Sequence, residues 1–226
     1  MTKPHRFLHA PIFCLFSKLL QQCVVAEQYY RLIAGCNTPD IIAGGIAELL
    51  NGQQLIRDTL AGISVIYLPA LYEAECYCTQ RLLQAAKQSF SEPKNIEKQI
   101  SAVAAEGGLT YSVQQAEAIR QAASAGVLLI TGGPGTGKTT ILKGILSLLG
   151  HMQLRCLLAA PTGRAAQRLT EVTGENASTI HRLLEAGIDP ESRKMVFARD
   201  ESNPLKADVI IVDEMSMVDI LLLHSL

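Results

Sequence analysis

The run Gly132-Gly133-Pro134-Gly135-Thr136-Gly137-Lys138-Thr139 holds the densest chemistry in the chain. It fits GxxxxGK[ST], a pattern that has meaning only between a strand and a helix. The glycines let the backbone curl until its N–H groups converge on one point, which suits phosphate oxygens. A lysine at the end of such a loop reaches the β- and γ-phosphates of a nucleotide, and the next hydroxyl can ligate Mg2+. Lys138 and Thr139 hold those positions, and Thr140 continues the run. A chance Gly-rich turn is the rival reading, and the flanking pattern disfavours it.

A second group of reactive side chains closes Val209-Ile210-Ile211-Val212-Asp213-Glu214. Four apolar residues predict a buried strand, with two carboxylates at its C-terminal end, where open α/β sheets bind ligands. Asp213 is placed to hold Mg2+, and Glu214 to orient and deprotonate an attacking water. Alone, an apolar run ending in Asp-Glu is a weak signal. Downstream of the glycine loop it predicts nucleotide hydrolysis.

These residues need elements that bring them together. Residues 127–131 are a continuous apolar run, read as a buried parallel strand before the loop. A helix follows through Leu149, with Gly150 beyond its end. A strand is predicted over 154–160, helices over 163–173 and 179–186, a loop-like polar insertion over 188–206, and the third buried strand over 209–212. This alternation predicts an α/β fold with a parallel sheet. Upstream, Thr38 and Pro39 read as the start of a helix with Ile42, Ile46, Leu49 and Leu50 on one face. A strand is expected at 63–68, a long helix from Pro69 to about Ser89, and another bearing Ile96, Ile100 and Val103. The order fits a small, mostly helical, winged-helix-like module. Gly107-Gly108 is the expected boundary, giving domains 1–106 and 107–226.

Composition limits the function classes. The chain has 226 residues with a formal net charge of −1, which excludes a polybasic binder but not an enzyme with one basic groove. The six cysteines, Cys14, Cys23, Cys36, Cys76, Cys78 and Cys156, show no CxxC pair. They read as reduced thiols of a cytoplasmic protein rather than a zinc or iron–sulfur site. The apolar stretch at 12–20 is interrupted by Ser17 and Lys18, so neither a secretory signal nor a membrane span is expected.

The intervening segments carry a resemblance. Ala159-Ala160-Pro161-Thr162-Gly163-Arg164-Ala165-Ala166, Ala177-Ser178-Thr179-Ile180-His181-Arg182-Leu183-Leu184 and Asp213-Glu214-Met215-Ser216-Met217-Val218-Asp219 resemble, in order, RecD-like helicases of superfamily one. The likeness covers about 109–226 and is nearer to the stand-alone form than to the RecD subunit of RecBCD. Upstream, Tyr67-Leu68-Pro69-Ala70-Leu71-Tyr72 resembles the segment before the motor in that form, and the first sixty residues match least.

The resemblance implies a RecA-like P-loop domain, and ATP and Mg2+ as cofactors. It implies single-stranded DNA as partner, gripped by Thr162, Gly163 and Arg164 and by Thr179, His181 and Arg182. Thr179 can also be a plain helix cap, His181 a buried structural histidine, and Arg164 part of a solvated helix face. Gln115 matches the adenine-reading Gln, yet Ser112-Val113-Gln114-Gln115 is also a capping box. With no Trp and only Tyr 6 and Phe 5, DNA grip should be backbone-directed and salt-sensitive rather than by stacked bases.

The implied activity is 5′-to-3′ unwinding in DNA repair or recombination, with repair proteins or a single-strand-binding protein as further partners. The family pattern continues past Leu226 with a sensor strand and a second motor domain carrying arginine fingers. In that fold the sensor strand lies between the P-loop strand and the Asp-Glu strand. Both are therefore expected to have unpaired edges here, and the 226-residue chain to have at most trace ATPase activity. Two other readings stand beside this one: a nucleotide-binding module or inactive truncated product, and the motor of a conjugative relaxase–helicase. The latter needs an upstream domain of clustered histidines and a catalytic tyrosine, which the sequence does not show.

Overall fold

The computed structural model describes residues 6–9, 39–60, 62–133 and 135–226. The expected cap at Thr38, the apolar stretch at 12–20, Cys14, Cys23, Cys36 and Pro134 lie outside the described residues. Among the described residues no helix is long and apolar enough to cross a membrane, and no three His, Cys, Asp or Glu side chains cluster as metal ligands.

The chain forms two compact units, one of residues 1–11, 81–218 and 225–226, the other of residues 12–80 and 219–224. These units do not divide at Gly107-Gly108. The helix before that pair gives Ile96, Ile100 and Val103 to the same core as the residues after it.

The larger unit is built on a five-stranded sheet. Its strands are β1 (Arg6–His9), β4 (Val127–Leu129), β5 (Cys156–Ala160), β6 (Ala177–Thr179) and β9 (Val209–Val212), in the order β4-β1-β9-β5-β6. Every pairing is parallel. All four residues of β9 are buried, as a strand covered on both faces requires.

One expectation is overturned here. β4 and β9 do not face an empty position, because β1 lies between them and pairs with both. Leu8 is in register with Leu128 on one side and Ile211 on the other. An interior edge of buried backbone N–H and C=O groups is costly to leave unmade, and this short strand satisfies both sides at once.

The helices of this unit are α3 (Ile96–Glu106), α4 (Val113–Ala122), α5 (Lys138–His151), α6 (Gly163–Thr173) and α7 (Ile180–Leu183). α5 buries Ile141, Ile145, Leu148 and Leu149, the i, i+4, i+7, i+8 stripe of a helix lying on a sheet. α3 and α4 pack on α5. Each such aliphatic side chain, removed from water, contributes about 1.5–3 kcal/mol. α5 runs through Gly150 rather than stopping before it, since a glycine ends a helix only where the backbone turns left-handed. Gly174 does so, with φ +77°, and closes α6.

Two further differences concern residues 177–206. The helix expected over 179–186 shrinks to α7, because residues 177–179 pair with β5 instead. The insertion expected as loop contains an antiparallel hairpin, β7 (Ala186–Ile188) and β8 (Met195–Phe197). Its turn is closed by Asp189 Oδ1, which accepts the N–H groups of Glu191 and Ser192 at 2.7 and 2.8 Å. Those bonds hold the Asp189 carboxyl below its ordinary range.

The smaller unit contains α1 (Pro39–Asn51), a hairpin of β2 (Ile56–Leu60) and β3 (Ile63–Tyr67), the start of α2 (Pro69–Ala86), and most of α8 (Ile220–Ser225). A helix is followed by a hairpin, in which β2 is a strand additional to the one expected at 63–68. Leu60 pairs with Ile63, so the hairpin turns on two residues, the second being Gly62 at φ +83°. Leu55, Val65, Tyr67, Ala74 and Cys78 are buried. Burial in apolar surroundings pushes the Cys78 thiol up to about 11.

Candidate functional site

Because the five strands are parallel, their C-terminal ends share one edge of the sheet. The glycine loop leaves β4 at that edge, and Asp213 and Glu214 leave β9 there. The candidate phosphate cradle and the two carboxylates therefore meet at the end of the sheet where ligands bind in open α/β folds.

The loop has the conformation that its glycines allow. Gly135 and Gly137 have φ of +75° and +83°, and Gly137 leads into α5. A Cβ on Gly137 would lie 2.5 Å from Gln115 Nε2, and one on Gly132 would lie 2.5 Å from Thr136 Oγ1. A side chain at either position would push the facing side chain aside, and at Gly137 the positive φ adds backbone strain. Thr136 Oγ1 donates to Gly133 O at 2.9 Å and tightens the curl. The Lys138 ammonium donates to Gly132 O at 2.6 Å and to Gly133 O at 2.8 Å, so the lysine folds back over its own loop. The first N–H groups of the 14-residue α5 have no intrahelical acceptor and carry the positive end of its dipole. Together they form a site for an anion. Thr139 is exposed at the start of the helix, and Thr140 is half-buried.

Asp213 and Glu214 are both exposed, directly after four buried residues. The Asp213 N–H donates to Ala159 O at 2.9 Å, which fixes the strand end, and Asp213 Oδ1 accepts the Glu214 N–H at 2.9 Å. Glu214 has φ 53° and ψ 40°, the left-handed region, where a residue with a Cβ is strained. No motif or periodicity marks this turn in advance. It turns the chain sharply out of β9 into the 3-10 turn Met215–Met217.

Gln115 satisfies the capping box and also reaches the loop. Its N–H donates to Ser112 Oγ at 3.3 Å, and its Oε1 accepts the Ser112 N–H at 3.0 Å. With Oε1 so engaged, the amide nitrogen is the atom against Gly137. Tyr111 packs beneath: its hydroxyl would lie 2.7 Å from a Cβ on Gly144 of α5. Desolvation raises its pKa. On the outer side of α4, Arg120 grips Glu117 through Nε and Nη2 at 2.8 and 2.7 Å, and Glu92 through Nη1 at 2.7 Å. The hydrogen bond from Arg120 holds the Glu117 carboxyl below its ordinary range.

The other residues singled out in the sequence lie along the same edge. Thr162 follows β5 and caps α6, its hydroxyl accepting the Ala165 N–H at 3.3 Å. Thr179 ends β6, in register with Ala160, and caps α7 by accepting the Arg182 N–H at 3.1 Å. Gly163 and Arg164, the first residues of α6, are exposed, as is Arg182. His181 is half-buried, its ring centroid 6.1 Å from that of Phe197. The capping reading thus holds for Thr179, Thr162 is found to be a cap as well, and the two helix starts stand on neighbouring strands.

Hard oxygen donors, the Thr139 hydroxyl and the Asp213 carboxylate, suit Mg2+. With no cluster of three acidic or nitrogen ligands among the described residues, a cation here would also draw on the phosphates of a bound nucleotide.

Comparison with known proteins agrees with this arrangement. A family described as AAA domain matches residues 115–226. The chain is 44% identical over 115 residues to the ATP-dependent RecD2 DNA helicase of Deinococcus radiodurans, a match covering 51% of this chain and 15% of that protein. It is 40% identical over 136 residues to the RecBCD enzyme subunit RecD of Mycolicibacterium smegmatis, covering 50% of this chain and 24% of the relative. It is 39% identical over 92 residues to the ATP-dependent DNA helicase dda of Enterobacteria phage T4, covering 40% and 21%. The chain thus spans less than a quarter of the length of each of these relatives. Over about half of its length, the part that carries the glycine loop and the carboxylate pair, the chain is similar to RecD-like helicases.

Proposed function

We propose that residues 112–226 are the nucleotide-binding portion of the first motor domain of an ATP-dependent, 5′-to-3′ DNA helicase acting in repair or recombination. The observation that carries this reading is the meeting of the glycine loop and the Asp213-Glu214 pair at one edge of a parallel sheet.

Each residue then has a role. Gly132, Gly133, Gly135, Thr136 and Gly137 present backbone N–H groups to the phosphates. Lys138 leaves the Gly132 and Gly133 carbonyls for the β- and γ-phosphates, exchanging two neutral acceptors for charged ones. Thr139 and Asp213 hold Mg2+, which when bound neutralises charge on the phosphates. Thr140 borders the phosphates, and Gln115 directs its amide nitrogen toward the bound nucleotide. Glu214 accepts a proton from the attacking water.

Thr162, Gly163, Arg164, Thr179, His181 and Arg182 form one half of a track for single-stranded DNA. The two helix starts face phosphates, and the arginines add charge. Translocation requires alternating closure against a second motor domain, and repair proteins or a single-strand-binding protein act beside it in the cytoplasm. The 226-residue chain alone has at most trace ATPase activity, since an arginine finger from elsewhere can contribute roughly 10³–10⁵ in rate.

Thermal unfolding with Mg-ATP tests the site. At 100 times the dissociation constant, the nucleotide should stabilise the chain by about 2.7 kcal/mol. Lys138→Ala should remove most of that shift while unfolding normally without nucleotide. A folded parent chain with no shift would refute the reading.

A further inference from the structure

The two halves of the candidate nucleotide site sit on strands that do not touch each other. The loop follows β4, the carboxylates follow β9, and the sheet order places β1 between them. Four residues therefore set their relative register. Phe7 is level with Val127 and Ile210, Leu8 with Leu128 and Ile211, Arg6 with Val209, and His9 with Leu129. Continuing that register by one residue brings His9 level with Val212, one residue short of Asp213. All three strands run the same way, so β1 ends at the edge where the loop and the carboxylates emerge.

We propose that the strand Arg6–His9 is a positioning element of the nucleotide site, a bridge that fixes Asp213 and Glu214 relative to the Gly132–Thr139 loop. The inference rests on the nucleotide reading above. A parallel pair of strands slides only by breaking its ladder, and a slip by one residue sends every side chain to the opposite face. With β1 in place, β4 and β9 share one register. Without it, the loop keeps its own geometry, since that is set by its glycines, Thr136 and Lys138. The carboxylates keep theirs from β5, through the Asp213 N–H on Ala159 O. What is lost is the coupling between the halves. The site then binds a nucleotide through the loop alone and no longer responds to Asp213.

Two measurements on the 226-residue chain test this. The first is backbone hydrogen exchange on the parent, which needs no variant. The Leu8 and His9 amides should exchange as slowly as the core of the sheet. Exchange at the rate of an unstructured peptide would overturn the proposal. The second is a double-mutant cycle between Leu8→Pro and Asp213→Asn, read as affinity for a non-hydrolysed ATP analogue with Mg2+. In the parent, Asp213→Asn should weaken binding on the order of ten-fold. In the folded Leu8→Pro chain the same change should have no effect. A strand that merely adds stability would leave the ten-fold effect intact, and that result would also overturn the proposal.

Where Leu8→Pro does not fold, the parent exchange rates decide. Failure of the nucleotide reading looks different: the parent fails to bind the analogue at all, while Leu8 and His9 exchange slowly.

Discussion

Glu214 carries two demands in one residue. In the proposed reading it takes a proton from the attacking water, and its backbone sits at φ 53°, ψ 40°. A left-handed residue with a Cβ costs roughly 1–2 kcal/mol. Glu214→Gly should therefore stabilise the chain by about 1 kcal/mol in urea unfolding. Glu214→Gln should give no gain in stability. Equal stability of the two variants would show that the left-handed turn is not strained. Gln115 separates in the same manner. Glu serves a capping box as well as Gln does, so Gln115→Glu should change stability by less than about 0.5 kcal/mol. It replaces the amide donor beside Gly137 by a negative oxygen, so the thermal shift with Mg-ATP should shrink. An unchanged shift would assign Gln115 to the cap alone.

Among the elements, the join between α2 and β4 is the tightest. Phe90 N–H donates to Ser124 O at 2.7 Å, Gly126 N–H to Gln88 O at 3.1 Å, and Ser89 bridges Ala125. A Cβ on Gly126 would lie 2.0 Å from the backbone oxygen of Ala85, a clash that no side-chain rotation relieves. Gly126→Ala should cost at least about 2 kcal/mol in chemical denaturation, with the midpoint moving and the slope unchanged. A loss under 0.5 kcal/mol would mean the α2–β4 join yields freely. Nothing local marks Gly126, which stands just before the apolar run 127–131, because a close approach between distant backbones leaves no pattern in the sequence. The same reason separates what was legible from what was not. β9 was readable to the residue, since a strand covered on both faces must be a continuous apolar run. α6 was readable because Thr162 and Gly174 mark its two ends by their own chemistry. β1 was not, because Arg6-Phe7-Leu8-His9 has neither length nor alternation, and its partners begin at residue 127. The β7–β8 hairpin was hidden for a related reason: Ile188, Met195 and Val196 are exposed, so its strands show no buried face. In the site, the loop and carboxylates were legible as motifs, whereas the turn at Glu214 and the approach of Gln115 to Gly137 arise from packing.

At the scale of the whole molecule, the charge balance limits how the proposed track could hold nucleic acid. A net charge of −1 gives no long-range attraction to a polyanion, so any affinity for single-stranded DNA must come from a few local cations. On the edge carrying the two helix starts, those cations are Arg164 and Arg182, both exposed. Each phosphate neutralised on a single strand contributes about −0.7 to the slope of log affinity against log salt. Two contacts give a slope of about −1.4, far shallower than a polybasic protein shows. Arg164→Ala should bring the slope to about −0.7 and weaken binding to all sequences alike, because a phosphate contact carries no base information. The measurement is fluorescence anisotropy of a labelled oligothymidine, repeated on a mixed sequence, over a series of salt concentrations. A slope unchanged by Arg164→Ala would return that arginine to a solvated helix face. A slope much steeper than −1.4 in the parent would place the DNA on a different basic surface. The low aromatic content makes the same prediction from the other side. A grip built on backbone charge weakens with salt at every base composition, whereas one built on stacking holds at high salt and favours some bases over others.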